Sequence, residues 1–115
     1  MIEIYHNPRC RKSREGLAIL QESGQTFEVV EYLKDVPSAD DLAEIVKKLG
    51  IEPAQLLRKN EAIWKEKYKG KELSDMDILK AMADHPKLIE RPIVISGNKA
   101  VLGRPPELIA EFISK

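Results

Sequence analysis

Residues 2 to 32 read as strand, helix, strand, and that order leaves a chain few ways to fold. Ile2 and Ile4 alternate with polar neighbours, the period of a half-buried strand. His6-Asn7-Pro8-Arg9 then breaks the ladder, because Asn and Pro both favour a turn. A helix is expected from Cys10 or just after it, carrying Leu17, Ile19 and Leu20 inward. Ser23-Gly24 ends it, with glycine supplying the left-handed cap. Phe27-Glu28-Val29-Val30-Glu31-Tyr32 is rich in β-branched and aromatic residues and reads as a second strand. Two strands joined through a helix are parallel, with a right-handed crossover.

The middle of the chain is helical. Ser38 and Asp41 form a capping-box start, and Leu42, Ile45, Val46 and Leu49 follow at helical spacing until Gly50. Pro53 opens a short helix through Leu56-Leu57. Ser74 and Asp77 repeat the cap, with Ile78, Ala81 and Met82 on one face and His85-Pro86 at the end, where His85 reads as a charge partner of the helix C-terminus. Lys65 to Lys71 is the most polar stretch and reads as a surface loop.

The last third changes period. Ile93-Val94-Ile95 and Ala100-Val101-Leu102 flank Ser96-Gly97-Asn98-Lys99, a hairpin turning at Gly97-Asn98. Pro105-Pro106 then sets a helix start, with Leu108, Ile109, Phe112 and Ile113 as the buried stripe. The sum is an α/β chain with a four-stranded mixed sheet: a thioredoxin-like core with a helical insertion after the second strand. Residues about 1–34 and 87–115 make the core and about 38–86 the insertion, in one domain over 1–115.

Composition narrows the function. Nineteen Lys+Arg balance nineteen Asp+Glu, and zero net charge argues against a general nucleic-acid binder. The longest apolar run, Leu17 to Leu20, is too short for a membrane span. The start, Met1-Ile2-Glu3-Ile4-Tyr5, has no basic region before an apolar stretch, so no signal peptide is expected. One cysteine allows neither an internal disulfide nor a cysteine zinc cluster, so no metal site is expected. The expected location is the reducing cytoplasm.

That cysteine sits where chemistry is possible. Cys10 lies at a helix N-terminus, at the C-terminal end of a strand, where open α/β sheets place ligands. Partial positive charge and unpaired N–H groups there favour a thiolate, and the same groups cradle an oxyanion. Arg9, Arg11, Lys12 and Arg14 crowd it in sequence, and His6 lies across the turn. The competing reading is a small buried hydrophobe. His6 divides between a structural hydrogen-bonder and a site group, and Ser13, at i+3, between an aid to the thiol and plain helix-start surface.

The hairpin adds a geometric relation. Counting back from Gly97-Asn98, Ser96 faces Lys99, Ile95 faces Ala100, and Arg91 falls opposite Arg104. Facing like charges are destabilising unless something anionic lies between them. One reading is a two-arginine clamp on a tetrahedral oxyanion. The other has the arms splay, each arginine pairing with an acid such as Glu90 or Glu107. Arg58 reads as solvated surface, like Lys59.

Tyr5-His6-Asn7-Pro8-Arg9-Cys10, Leu56-Leu57-Arg58-Lys59-Asn60, Glu90-Arg91-Pro92-Ile93-Val94 and Gly103-Arg104-Pro105 occur in one order over nearly the whole chain. In that combination the sequence resembles the glutaredoxin-coupled arsenate reductase family. The resemblance implies a nucleophilic Cys10 and an oxyanion held by Arg58, Arg91 and Arg104, with His6, Asn7, Ser13 and Pro92 in supporting positions. It implies reduction of arsenate to arsenite, glutathione as cosubstrate, glutaredoxin as the partner that restores Cys10, and no bound cofactor. A monomer is expected, with neither nucleic acid nor membrane as partner. Where familiar members carry a Gly-Thr pair after the cysteine, this chain has Arg11-Lys12. Two other functions fit: a glutathione-linked thiol oxidoreductase with another substrate, and a non-enzymatic Spx-like regulator that binds RNA polymerase, although Ser13 stands where such regulators have a second cysteine. The Arg91–Pro92 bond is expected to be cis. Pro92 immediately precedes the third strand, where thioredoxin-like folds place a cis-proline, and the chain must turn for Arg91 to face Cys10.

Overall fold

In a computed structural model, which describes residues 2–114, the chain divides into two units. The first runs up to Asp35 and resumes at Arg91; the second is Val36–Glu90. The second unit runs on past residue 86 to Glu90. Leu88 and Ile89 are fully buried, and Ile89 bridges Leu57, so these residues stay with the helices.

The first unit holds a four-stranded sheet of β1 (Ile2–Tyr5), β2 (Phe27–Val30), β3 (Ile93–Ser96) and β4 (Lys99–Leu102), in the order β2-β1-β3-β4. β1 and β2 are parallel, with Ile2 beside Phe27, as the intervening helix α1 (Arg11–Ser23) requires. β3 is antiparallel to both β1 and β4. Of the two residues at the hairpin turn, Gly97 has a left-handed φ, 59°, and Asn98 does not, which excludes a type I′ turn because that needs positive φ at both.

Ile2, Ile4, Leu20, Val94 and Ile109 form the core of this unit, with Leu17, Ile19, Phe27, Val101, Phe112 and Ile113 packed against it. Each fully buried aliphatic side chain contributes about 1.5–3 kcal/mol. Ile109 comes from the last helix, α6 (Glu107–Ile113), which touches α1. Leu108, expected in that helix's buried stripe, is exposed. The short helix turns one residue, Ile109, fully inward, and Leu108 points about 100° away from it. The fold is thioredoxin-like.

The second unit is helical: α2 (Ala39–Leu49), α3 (Pro53–Leu56), α4 (Ala62–Lys67), α5 (Asp75–Asp84) and a 3-10 turn at Pro86–Leu88. Both expected capping boxes form. The Asp41 N–H donates to Ser38 Oγ at 3.0 Å and the Ser38 N–H to Asp41 Oδ2 at 3.1 Å. Ser74 and Asp77 repeat the exchange. Leu42, Ile45 and Val46 of α2 and Ile78, Leu79, Ala81 and Met82 of α5 are buried, and the two helices pack together. The stretch expected as a loop from Lys65 begins inside α4, where Trp64 stacks on Tyr68 at 5.3 Å and extends the order of a polar sequence. Among the described residues no helix is long and apolar enough to cross a membrane.

Candidate active site

Cys10 is the N-cap of α1, in extended backbone with φ −96° and ψ 122°. Its N–H donates to the Asn7 carbonyl at 3.0 Å, closing the turn that leaves β1. Its own carbonyl accepts the Arg14 N–H, the first bond of the helix. The side chain therefore stands over the free N–H groups of the first helical turn. Cys10 is 9% exposed, so the sulfur is nearly covered but not sealed.

Burial pushes the thiol pKa up, and the groups around the sulfur more than offset it. These are the Ser13 N–H, the Arg91 guanidinium, through both a hydrogen bond and its charge, and the Lys12 N–H. The net direction is downward, toward the thiolate. The cations adjacent in sequence act elsewhere. Arg11 pairs with Glu15 at 3.2 Å, Lys12 Nζ reaches the same carboxylate at 3.9 Å, and Arg14 donates to the Pro8 carbonyl at 2.9 Å. Helical geometry explains this: i, i+3 and i, i+4 neighbours meet, and a side chain at the first turn points out from the axis. The cation at the sulfur comes from the start of β3.

His6 bonds within the loop and to β2. Its N–H donates to the Val30 carbonyl, and its Nδ1 lies 2.7 Å from Ser13 Oγ. Ser13 is fully buried, contrary to its reading as plain surface, and its hydroxyl also accepts the Asn7 N–H at 2.9 Å. Burial lowers the His6 pKa, with Glu31 and a backbone bond at Ser13 working the other way and Arg14 adding to the decrease. Asn7 Oδ1 accepts the Arg9 N–H at 3.0 Å, which tightens the loop from within. His6, Asn7 and Ser13 thus hold the shape of the cysteine loop, and backbone groups and Arg91 set the charge at the sulfur.

The arms of the hairpin do not splay. Beyond the pair Ile93–Leu102, the Gly103 N–H donates to the Pro92 carbonyl at 2.8 Å. Arg104 Nη1 then donates to the Arg91 carbonyl at 3.2 Å, so the two arginines face each other as the register requires. Both Arg91–Pro92 and Arg104–Pro105 are cis; the second is absent from the sequence reading. Pro92 is buried between Gly16 and Gly103: a Cβ at either glycine would lie 2.9 Å from its Cγ. Glycine is required there by close approach, without any unusual φ.

Arg58 belongs to the helical unit and is not solvated surface. Its side chain is 16% exposed and forks between two acids, Nη1 to Glu90 at 2.8 Å and Nε and Nη2 to Glu61 at 3.3 Å. Its N–H donates to the Leu88 carbonyl. Glu61, at i+3, was the local signal for this arrangement.

Beside the cysteine loop lies a cavity of about 360 Å³, lined by His6, Asn7, Pro8, Arg9, Glu31, Leu33 and Lys34. The last three were not singled out in the sequence. Their position just past the C-terminal end of a parallel strand was the available signal.

A family model described as the ArsC family matches residues 5–112. The chain belongs to the ArsC family. The match spans every site residue from His6 to Arg104. Among relatives, the chain is 46% identical to the uncharacterized Escherichia coli protein YfgD, covering 97% of this chain and 96% of that one. It is 44% identical to an arsenate reductase of Haemophilus influenzae, covering 96% and 97%. A solved arsenate reductase from Vibrio cholerae superposes with a TM-score of 0.91 at 46% identity, covering 96% of this chain and 95% of that one.

Proposed function

We propose that this ArsC-family chain reduces arsenate to arsenite with glutathione as electron donor. The observation that carries the reading is Cys10 at the head of α1, its sulfur facing the Ser13 and Lys12 N–H groups and the Arg91 guanidinium. That arrangement favours a thiolate nucleophile and presents donors to an incoming oxyanion.

The scheme has three steps. The Cys10 thiolate attacks arsenic and displaces hydroxide, which leaves as water after protonation. A glutathione thiolate then attacks Cys10 Sγ. A sulfur–sulfur bond forms as the sulfur–arsenic bond breaks, and the electron pair of that bond passes to arsenic, which leaves as arsenite. The two thiols together supply the two electrons. Glutaredoxin finally takes the glutathionyl group and restores the thiolate. The single cysteine supports an external thiol, because the chain has no second one to resolve the adduct. Arg91 and Arg104 hold the oxyanion and the charge that develops on it. Arg58 joins them on the strength of the family resemblance.

The test is arsenate turnover with glutathione and glutaredoxin, run beside the same assay with each omitted. Turnover that needs both, and is abolished in Cys10→Ser, supports the scheme. Turnover without glutathione, or retained in Cys10→Ser, refutes it. A panel of other oxyanions and glutathione mixed disulfides shows whether arsenate is the preferred substrate.

A further inference from the structure

Arg58 holds two carboxylates, and it holds them differently. Arg58 and Glu90 are fixed to each other through the backbone before their side chains meet. The Arg58 N–H donates to the Leu88 carbonyl and the Glu90 N–H to the Leu56 carbonyl, each at 2.8 Å, on either side of the Leu57–Ile89 bridge. Leu56, Leu57, Leu88 and Ile89 are all buried, so this frame is anchored in the core of the helical unit. On it, Arg58 Nη1 donates to Glu90 Oε1 at 2.8 Å. That is the length of a strong charge-assisted bond.

Glu61 presents one oxygen, Oε2, to both Nε and Nη2, at 3.3 Å from each. Those two N–H groups lie parallel along one edge of the guanidinium, an edge that fits two oxygens of one anion. One oxygen shared between them satisfies neither, and 3.3 Å is longer than a good N–H···O bond. Glu61 stands just before α4, and its side chain makes no capping bond there. It is 28% exposed, so the carboxylate has water to turn to when it lets go. Of the two pairs, the one with Glu61 is the weaker, and it covers the edge of Arg58 best suited to an oxyanion.

Resting on the arsenate-reductase reading, we infer that Glu61 stands in for the substrate on Arg58 and that Glu90 anchors the guanidinium: arsenate takes the Nε–Nη2 edge by displacing Glu61, while Glu90 stays bound. Two oxygens of the oxyanion replace one of the carboxylate. Glu61 is thereby a specificity-determining residue. An anion with a single contact atom, such as chloride, gains nothing over the carboxylate it would displace, whereas one that offers two oxygens does. Glu90 is a positioning residue and acts through Arg58. No covalent bond changes beyond the scheme above.

The test uses the whole chain and reads occupancy apart from turnover. In Cys10→Ser, which lacks the thiol, arsenate is expected to shift the Arg58 Nε–H resonance. Adding Glu61→Gln to that variant should tighten arsenate about threefold, the scale of a partly exposed ion pair. In the otherwise unaltered chain, Glu61→Gln should lower the arsenate KM by a similar factor, make turnover more sensitive to chloride, and leave the Cys10 alkylation midpoint in place. Glu90→Ala should raise the arsenate KM about tenfold, and Glu90→Gln, which keeps an accepting oxygen, should recover most of that loss. Simple loss of structure would weaken binding in the Glu61 and Glu90 variants alike, so the opposite signs are the signature. An Arg58 resonance that arsenate leaves unmoved, or arsenate binding that is unchanged or weaker in folded Glu61→Gln, overturns the inference. Equal losses in Glu90→Ala and Glu90→Gln overturn the anchor. Tighter arsenate binding by Glu61→Gln in a chain that does not reduce arsenate supports the exchange and refutes only the proposed reaction.

Discussion

His6 Nδ1 and Ser13 Oγ, 2.7 Å apart, join the end of β1 to the first turn of α1 across the cysteine loop. Ser13 has one hydroxyl proton and already accepts the Asn7 N–H. Ser13→Ala leaves two buried polar groups without this partner, and is expected to cost about 1–3 kcal/mol in urea unfolding. The thiol pKa should barely move, because it is the Ser13 N–H, kept in the variant, that faces the sulfur. A large rise in the alkylation midpoint of that variant would assign the hydroxyl a direct role instead.

Burial of the same histidine makes stability depend on pH. Burial holds the His6 pKa below its ordinary 6.5, so between the two values the unfolded chain binds the proton that the folded chain excludes. The stabilisation is complete above 6.5 and is lost as pH falls through the lowered folded value. His6→Gln should therefore flatten the wild-type decline in unfolding free energy on its acid side below pH 6.5, measured by urea titration. Parallel curves for the two proteins would remove His6 as the cause.

At the sulfur, the cation that counts is Arg91. Arg91→Ala is expected to move the midpoint of Cys10 alkylation upward, toward the free-thiol value of about 8.5. Arg11→Ala should leave it in place, because that side chain is committed to Glu15. The reverse ranking would restore the neighbouring cations as the activating groups.

That ranking marks where the sequence stops being readable. Parallel β1 and β2, the hairpin register and the capping boxes at Ser38 and Ser74 follow from rules spanning a few residues, and they were legible. So was the facing of Arg91 and Arg104, because register counts positions. Proximity in sequence misled at Arg11, Lys12 and Arg14, whose directions depend on helix phase. The bond from Arg58 to Glu90 spans 32 positions and depends on how the helical unit closes. Burial of Ser13 depends on His6 folding back over the helix start. Each of these is decided by tertiary packing, which a local pattern does not encode.

Gly103→Ala probes how tightly the arginine arm is held. The added Cβ would lie 2.6 Å from Ile109 Cδ1 and 2.9 Å from Pro92 Cγ. The isoleucine tip can rotate away; the proline ring, gripped also by Gly16, cannot. Overpacking of this kind costs about 1–3 kcal/mol. Because Pro92 carries Arg91 with it, the alkylation midpoint of Cys10 is expected to rise as stability falls. A loss of stability with an unchanged midpoint would show that Ile109 alone absorbs the clash.

The three arginines should separate by what each one loses. In the proposed scheme Arg91 and Arg104 donate to developing charge, and Arg91→Ala and Arg104→Ala are each expected to lower kcat/KM on arsenate by about 3 kcal/mol. Arg58→Ala takes away the cation shared by Glu61 and Glu90, inside a side-chain cluster only partly open to water. Hydrogen bonds to charged groups are worth about 1.5–3 kcal/mol, so this variant should lose the most stability of the three. Arg58→Lys keeps the charge without the fork and should recover part of that stability, but not two-pronged binding of an oxyanion. If Arg58→Ala, assayed where it is folded, keeps the wild-type kcat/KM on arsenate, Arg58 is a structural clasp of the helical unit and the oxyanion is held without it.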